Sequence, residues 1–190
     1  FIILGNYQLF TENTLPPVAL TLERISSIPA MLSMWTIVLF GNILGVTLGS
    51  ATLAFTGVFS ESAVDTAIKI GQESVAVGIV PTFFKGVFAG LIVAGVVWLD
   101  FSFKDSTARL ILIYVSFLAI PLGGLFHVVV STAEVMFLVF LGNISVLTGL
   151  TNFVVPVLFG NIFGGVILVT VVNYFQTSSY IQDNESERLD

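Results

Sequence analysis

The stretch Leu122–Glu134, LGGLFHVVVSTAE, places the only histidine of the chain, His127, inside the long apolar segment 108–141. Glu134 follows seven residues later, which on a helix is two turns, so the two side chains would lie on one face. Ionisable side chains at membrane depth are costly and normally face a cavity, a pore or a partner. A proline and two glycines stand just before the histidine, so we predict that the helix breaks there.

The composition of the chain predicts a membrane protein. Of its 190 residues 56% are hydrophobic and 9% are charged, the mean hydropathy is +1.03, and several apolar runs are long enough to span a bilayer. The formal net charge is −6 with six scattered basic residues, which argues against a nucleic-acid surface. With one histidine, no cysteine and no nucleophile or phosphate-loop motif, we predict no metal site, no cofactor and no enzyme activity.

The order of apolar and polar segments predicts an all-α integral membrane protein with one transmembrane domain over residues 1–175. Basic residues on alternate links and in the tail, at Arg24, Lys104, Arg109 and Arg188, predict that these links and the tail are cytoplasmic, in a multi-pass protein of the plasma or inner membrane. The chain begins inside an apolar run, and we expect a further span before it. The predicted elements are a broken span over 1–22, spans over 34–58, 81–99, 108–141 (also broken) and 152–175, a surface amphipathic helix over 61–78, and an acidic tail over 176–190.

An internal repeat links two of these spans. VLFGNILG at 38–45 is nearly identical to VLFGNIFG at 157–164, and the span count gives the two copies opposite directions across the membrane. A broken segment precedes each copy, and such pairs indicate an inverted-topology repeat with a transport site between the halves. Glycines that recur every four residues favour close helix packing. The predicted helix-packing residues are Gly41, Asn42, Gly45, Gly160, Asn161 and Gly164.

These segments resemble the formate/nitrite transporter family. The resemblance rests on Leu9-Phe10-Thr11 at the first break, on Gly124 and His127 at the second, and on GNIFGG at 160–165. It implies an aquaporin-like fold of six spans in two inverted halves, a pentameric homo-oligomer with one pore per protomer in the lipid bilayer, and transport of small monovalent anions or their weak acids. It also implies that His127 faces the substrate at the midplane of the pore. The constriction residues that the family implies are Leu9, Phe10 and Ile120.

The chain departs from the family's formate and nitrite channels in its charged residues. Those channels tend to have an acidic residue directly before the histidine, where this chain has Phe126, and an asparagine in the fourth span, which is absent from 86–98. The candidate substrate-pathway residues here are His127, Thr11, Glu12, Glu134 and Lys85. We expect the lysine to pair with one of the two acids, because paired charges are the commoner outcome within membranes.

Three functions fit these residues. A histidine at a helix break would attract an anion, or give it a proton so that it crosses as a neutral acid. Acids that remain unpaired would instead favour a pore for cations or protons. The aquaporin-like fold also permits a pore for water or another neutral solute, because a fold does not fix a function.

Overall fold

The computed structural model describes residue 5 and residues 7–177, and the regular structure in this part of the chain is entirely helical. A short 3₁₀ turn, Glu12–Thr14, precedes the first helix. The helices are α1 (Pro16–Leu22), α2 (Ile28–Phe55), α3 (Glu61–Val75), α4 (Ile79–Asp100), α5 (Ser106–Leu122), α6 (Val128–Phe140) and α7 (Val146–Thr177). The acidic tail predicted over 176–190 lies outside the described residues from 178 onward, as does the start of the broken span predicted over 1–22.

Three of these helices, α2, α4 and α7, are long and apolar enough to cross a membrane. The helices α5 and α6 are apolar but shorter, and only residues 123–127 separate them. The long apolar segment 108–141 therefore consists of two short helices with an interruption at the histidine. Gly124 has a φ of +60° within this interruption, a conformation that glycine adopts without steric cost.

Capping residues set the helix ends and explain where these differ from the predicted spans. The helix α2 begins at Ile28, earlier than the predicted start at residue 34, because the Ser27 hydroxyl accepts a hydrogen bond from a backbone N–H of the first turn (3.3 Å). Arg24, with a φ of 59°, turns the chain just before it. The helix α7 begins at Val146 rather than at residue 152, since Ser145 caps it in the same way.

Glycines bring α4 and α7 into backbone contact. A Cβ on Gly160 or Gly164 of α7 would collide with carbonyl oxygens of α4. In the other direction, Gly90 of α4 faces the backbone of Asn161 with no room for a side chain. The repeat copy at 157–164 is thus a close helix–helix contact of the kind that small residues provide in membrane proteins.

The glycines of α2 have no such neighbour. A Cβ on Gly41 or Gly45 would meet nothing within 4 Å among the described residues, so the close packing predicted there has no counterpart in this part of the chain. Phe40, beside them, is exposed. The helix packs instead along α6, where the Ser50 hydroxyl donates a hydrogen bond to Ala133 O (2.9 Å).

The amphipathic helix α3 packs against α6. Gly71 of α3 approaches α6 so closely that a Cβ on it would lie 3.0 Å from the Leu138 side chain. The helix ends at Val75, before the predicted limit at residue 78, because Gly78 turns the chain with a φ of +89° and leads into α4. The helix α3 therefore lies against α6, the helix that directly follows the histidine.

Candidate functional site

A buried hydrogen bond joins the two interrupted segments of the chain. The first interruption is the break predicted in the span 1–22, which in the described residues is the segment 7–15 with its 3₁₀ turn before α1, and the second is the 123–127 segment between α5 and α6. Thr11 Oγ1 of the first lies 2.7 Å from His127 Nε2 of the second, and 116 positions of sequence separate the two residues. Thr11 is completely buried and His127 nearly so. The fold therefore brings two of the predicted pathway residues into direct contact.

Asn161 of α7 holds the second interruption in place. Its Oδ1 accepts a hydrogen bond from Val128 N (2.8 Å), and its Nδ2 donates to Phe126 O (3.0 Å) and to Gly86 O (2.8 Å). The side chain is fully buried. The amide thus bridges the backbone on both sides of His127. It provides hydrogen-bond partners for backbone N–H and C=O groups that have none within a helix.

Asn42 of α2 holds the first interruption with the same pattern. Its Oδ1 accepts a hydrogen bond from Phe10 N (2.9 Å), and its Nδ2 donates to Gln8 O (3.0 Å). Each asparagine therefore spans a single residue, which is Leu9 in one segment and His127 in the other. The sequence predicted helix packing for both asparagines and missed this role. The available signal was an amide at the same place in both repeat copies, each copy following a break.

His127 stands directly before α6 in an extended backbone conformation (φ −111°, ψ 125°). Its Nε2 contacts Thr11, whereas its Nδ1 is buried without a hydrogen-bond partner among the described residues. A neutral imidazole has one donor nitrogen and one acceptor nitrogen. One polar atom of the ring, Nδ1, therefore has no hydrogen bond to the described residues.

Lys85 of α4 lies beside the second interruption. Its Nζ is 4.8 Å from the centroid of the Phe126 ring and 3.5 Å from the position that a Cβ on Gly124 would take. Within the described residues the one ion pair lies elsewhere, at the end of α4. The prediction that this lysine pairs with Glu134 or Glu12 is therefore wrong, and it has no carboxylate partner in the part of the chain that the structure describes.

Glu12 points away from Lys85, toward the other end of α4. It lines a cavity of about 300 Å³ together with Asp100. Asp100 follows Lys85 by fifteen residues on α4, which is about 22 Å along the helix axis. One carboxylate oxygen of Glu12, Oε1, is buried without a hydrogen-bond partner in the described part of the chain.

Glu134 faces α3, where Ser74 approaches its carboxylate. Its Oε2 is buried and has no hydrogen-bond partner in the range 7–177. The residue lies about 10 Å beyond His127 along α6. The helix thus carries the histidine and the acid into different surroundings, and Ser74 rather than Lys85 is the neighbour of this acid.

The three apolar residues that the family resemblance assigns to the constriction are all buried. Leu9 and Phe10 directly precede Thr11, and the Phe10 ring packs edge-on against Trp35 of α2 with the ring centroids 5.6 Å apart. Ile120 belongs to a different apolar cluster, with side chains of α4. Apolar side chains therefore flank the first interruption and its polar contact.

Known proteins match this chain over most of its length. The sequence profile described as "Formate/nitrite transporter" matches residues 1–175. The inner membrane protein YfdC of Escherichia coli (strain K12) is 29% identical over 177 residues, which cover 92% of this chain and 56% of YfdC. The transporter YwcJ of Bacillus subtilis (strain 168) is 23% identical over 173 residues, which cover 90% of this chain and 68% of YwcJ. The chain thus spans little more than half the length of YfdC.

Two solved structures share the fold. A structure described as an "FNT family ion channel" has a TM-score of 0.82 at 19% identity and covers 92% of this chain and 71% of that one. A "Pentameric formate channel with formate bound" has a TM-score of 0.75 at 19% identity and covers 93% of this chain and 77% of that one. These matches confirm the predicted all-α membrane channel fold.

Proposed function

The chain belongs to the formate/nitrite transporter family, and we propose that it forms a membrane pore for small monovalent anions or their weak acids. The observation that carries this proposal is the buried contact of Thr11 Oγ1 with His127 Nε2 (2.7 Å), which joins the two interrupted segments. Interrupted helices occur at membrane depth where their backbone lines protein or a water-filled path. In this proposal the substrate path crosses that contact.

His127 supplies the polar group that an anion needs in this path. An anion that enters a narrow apolar throat loses its hydration, which costs several kcal/mol. A protonated imidazole would attract the anion, or transfer its Nδ1 proton to an oxygen of the anion, leaving a neutral acid and a neutral imidazole. The unpartnered Nδ1 supports this role because it leaves one ring nitrogen available to the solute.

Lys85 supports an anion over a cation. Its half-buried ammonium group lies beside the second interruption, next to Gly124 and the Phe126 ring. No carboxylate in the described range lies within ion-pair distance of it. A positive charge that stays uncompensated attracts anions, and the attraction strengthens as water is excluded.

A pore for cations or protons is the second candidate. It is favoured by Glu12 and Glu134, since each has a buried carboxylate oxygen without a partner in the described part of the chain. Acidic residues in a pore select cations. Lys85 opposes this candidate because its ammonium group lies beside the second interruption, next to the Phe126 ring, where a positive charge repels a cation.

The matching asparagine contacts support the inverted repeat that the sequence predicts. Asn42 and Asn161 occupy the same place in the two repeat copies, and each binds the backbone around one residue of an interruption. We propose that Leu9 and His127 are the corresponding residues of two inverted halves. Structures of that kind place their sites at the interface of the halves.

We also propose a homo-oligomer, pentameric like the formate channel with which it shares its fold. Support comes from α2, where Gly41 and Gly45 have no neighbour among the described residues and the adjoining Phe40 is exposed. The basic residues Arg24 and Lys104 support a cytoplasmic side for their links and for the tail.

A transport assay in proteoliposomes separates the candidates. The purified protein is reconstituted, and uptake of formate and nitrite is measured at an acidic and a neutral pH. Reversal potentials under ion gradients test for cation conduction, and stopped-flow swelling tests for water. The proposal predicts uptake of at least one of the two anions above the level of protein-free liposomes. Water or cation conduction without uptake of either anion would contradict it.

A further inference from the structure

A cavity of about 300 Å³ lies beside the first interruption, where α4 ends. Its polar and charged lining consists of Tyr7, Gln8, Glu12, Asn13, Asp100 and Arg109. Glu12 directly follows Thr11 in the chain, so a solute in this cavity is one residue away from the contact with the histidine. The cavity is therefore a candidate mouth of the pore.

The guanidinium group in this cavity is already neutralised. Arg109 Nε donates to Asp100 Oδ1 (2.6 Å) and its second nitrogen donates to Asp100 Oδ2 (2.7 Å), which is the two-pronged geometry of a strong ion pair. Glu12 takes no part in this pair, and its Oε1 is buried without a partner among the described residues. When both carboxylates are ionised, they and the one guanidinium leave the lining with one negative charge, and that charge belongs to Glu12.

We propose that Glu12 is a specificity-determining residue that makes this mouth disfavour the free anion and favour the neutral weak acid. The inference rests on the proposed function, since it concerns the form in which the same substrate reaches His127. An ionised carboxylate at the wall of a water-filled cavity repels an anion and leaves an uncharged acid unaffected.

Lys85 and Glu12 then have opposite effects on the substrate. Lys85, about 22 Å from Asp100 along the axis of α4, attracts an anion beside the second interruption, whereas Glu12 repels it at the cavity that Asp100 also lines. A substrate leaving or entering by the cavity therefore passes most easily in its protonated form. Tyr7, Asp100 and Arg109 are the other ionisable groups that line the cavity, and the ion pair makes no net contribution.

Uptake of formate and nitrite into proteoliposomes at mildly alkaline pH, where both are anions, tests this role. Glu12→Gln removes one negative charge at nearly constant shape. We expect uptake of the anions to rise about threefold at low salt, the effect of one unit charge acting over about 6 Å of water. The increase should vanish at about 1 M salt, where the screening length is about 3 Å. Arg109→Gln, which leaves Asp100 uncompensated, should lower uptake by a similar factor.

Glu23→Gln is the matched control, because Glu23 is exposed and does not line the cavity; its uptake should equal that of the wild type. The proposal would be overturned if Glu12→Gln took up the anions at the same rate as the wild type at low salt, or if its increased uptake persisted unchanged at high salt. Either result would leave the proposed function standing. If Glu12→Gln fails to fold, a rise in uptake for Arg109→Gln would overturn it equally. If the wild type takes up neither anion at an acidic or a neutral pH, the proposed function fails and this inference fails with it.

Discussion

Replacing Asn161 by leucine tests whether one side chain holds the second interruption. The change removes three hydrogen bonds, to Val128 N, Phe126 O and Gly86 O. If the freed backbone groups find other hydrogen-bond partners, each lost bond lowers the free energy of unfolding by about 0.6 kcal/mol, which gives a total of about 2 kcal/mol. If the backbone groups stay buried without partners, each costs about 2 kcal/mol and the loss reaches about 6 kcal/mol. We therefore expect the free energy of unfolding to fall by an amount between these limits.

The matched control is Asn173→Leu, on the same helix. Asn173 Nδ2 donates to Val169 O of its own helix (2.7 Å), so that substitution removes one local bond and should cost about 0.6 kcal/mol. The measurement is reversible unfolding of both variants in mixed detergent micelles, followed by circular dichroism. Equal losses of stability for Asn161→Leu and Asn173→Leu would refute the role assigned to Asn161.

Two further predictions concern packing and the polar contact. Gly164→Ala should strongly destabilise the protein in the same unfolding measurement, because its Cβ would collide with the α4 backbone, whereas Gly95→Ala should have little effect, since no atom of the described chain lies within 4 Å of that position. Thr11→Val should shift the Nε2 resonance of His127 in nitrogen-labelled protein, which contains a single histidine. Thr132→Val, which removes only a hydroxyl bonded within α6, should leave that resonance in place.

The fold could largely be predicted from the sequence because hydropathy and helix-breaking residues specify membrane helices. Apolar runs marked the segments, and the proline and glycines before His127 marked the second interruption. The family profile confirms the family resemblance on which the predicted function rests. The helix starts at Ile28 and Val146 differed from prediction because polar residues, Ser33 in one helix and Thr151 in the other, interrupt the apolar run after each serine cap.

The site was harder to predict from the sequence because its geometry depends on tertiary contacts. The pairing predicted for Lys85 failed, since spacing along the chain does not reveal that Glu12 faces the opposite end of α4. The role of Asn161 was missed because glycines beside it gave a sufficient packing explanation. Its hydrogen bonds to Phe126 and Val128 depend on how α7 meets the interruption, and sequence periodicity contains no information about that.

The most direct test of the central claim is uptake of formate and nitrite by His127→Phe compared with the wild type in proteoliposomes. Thr132→Val is the control, because its side chain is buried on α6 and bonds only within that helix. If the path crosses the Thr11–His127 contact, His127→Phe should lower uptake at least about tenfold, which corresponds to about 1.4 kcal/mol in the barrier. Thr132→Val should transport like the wild type. Unchanged, pH-dependent uptake by correctly folded His127→Phe would contradict the proposal that this histidine serves the pore.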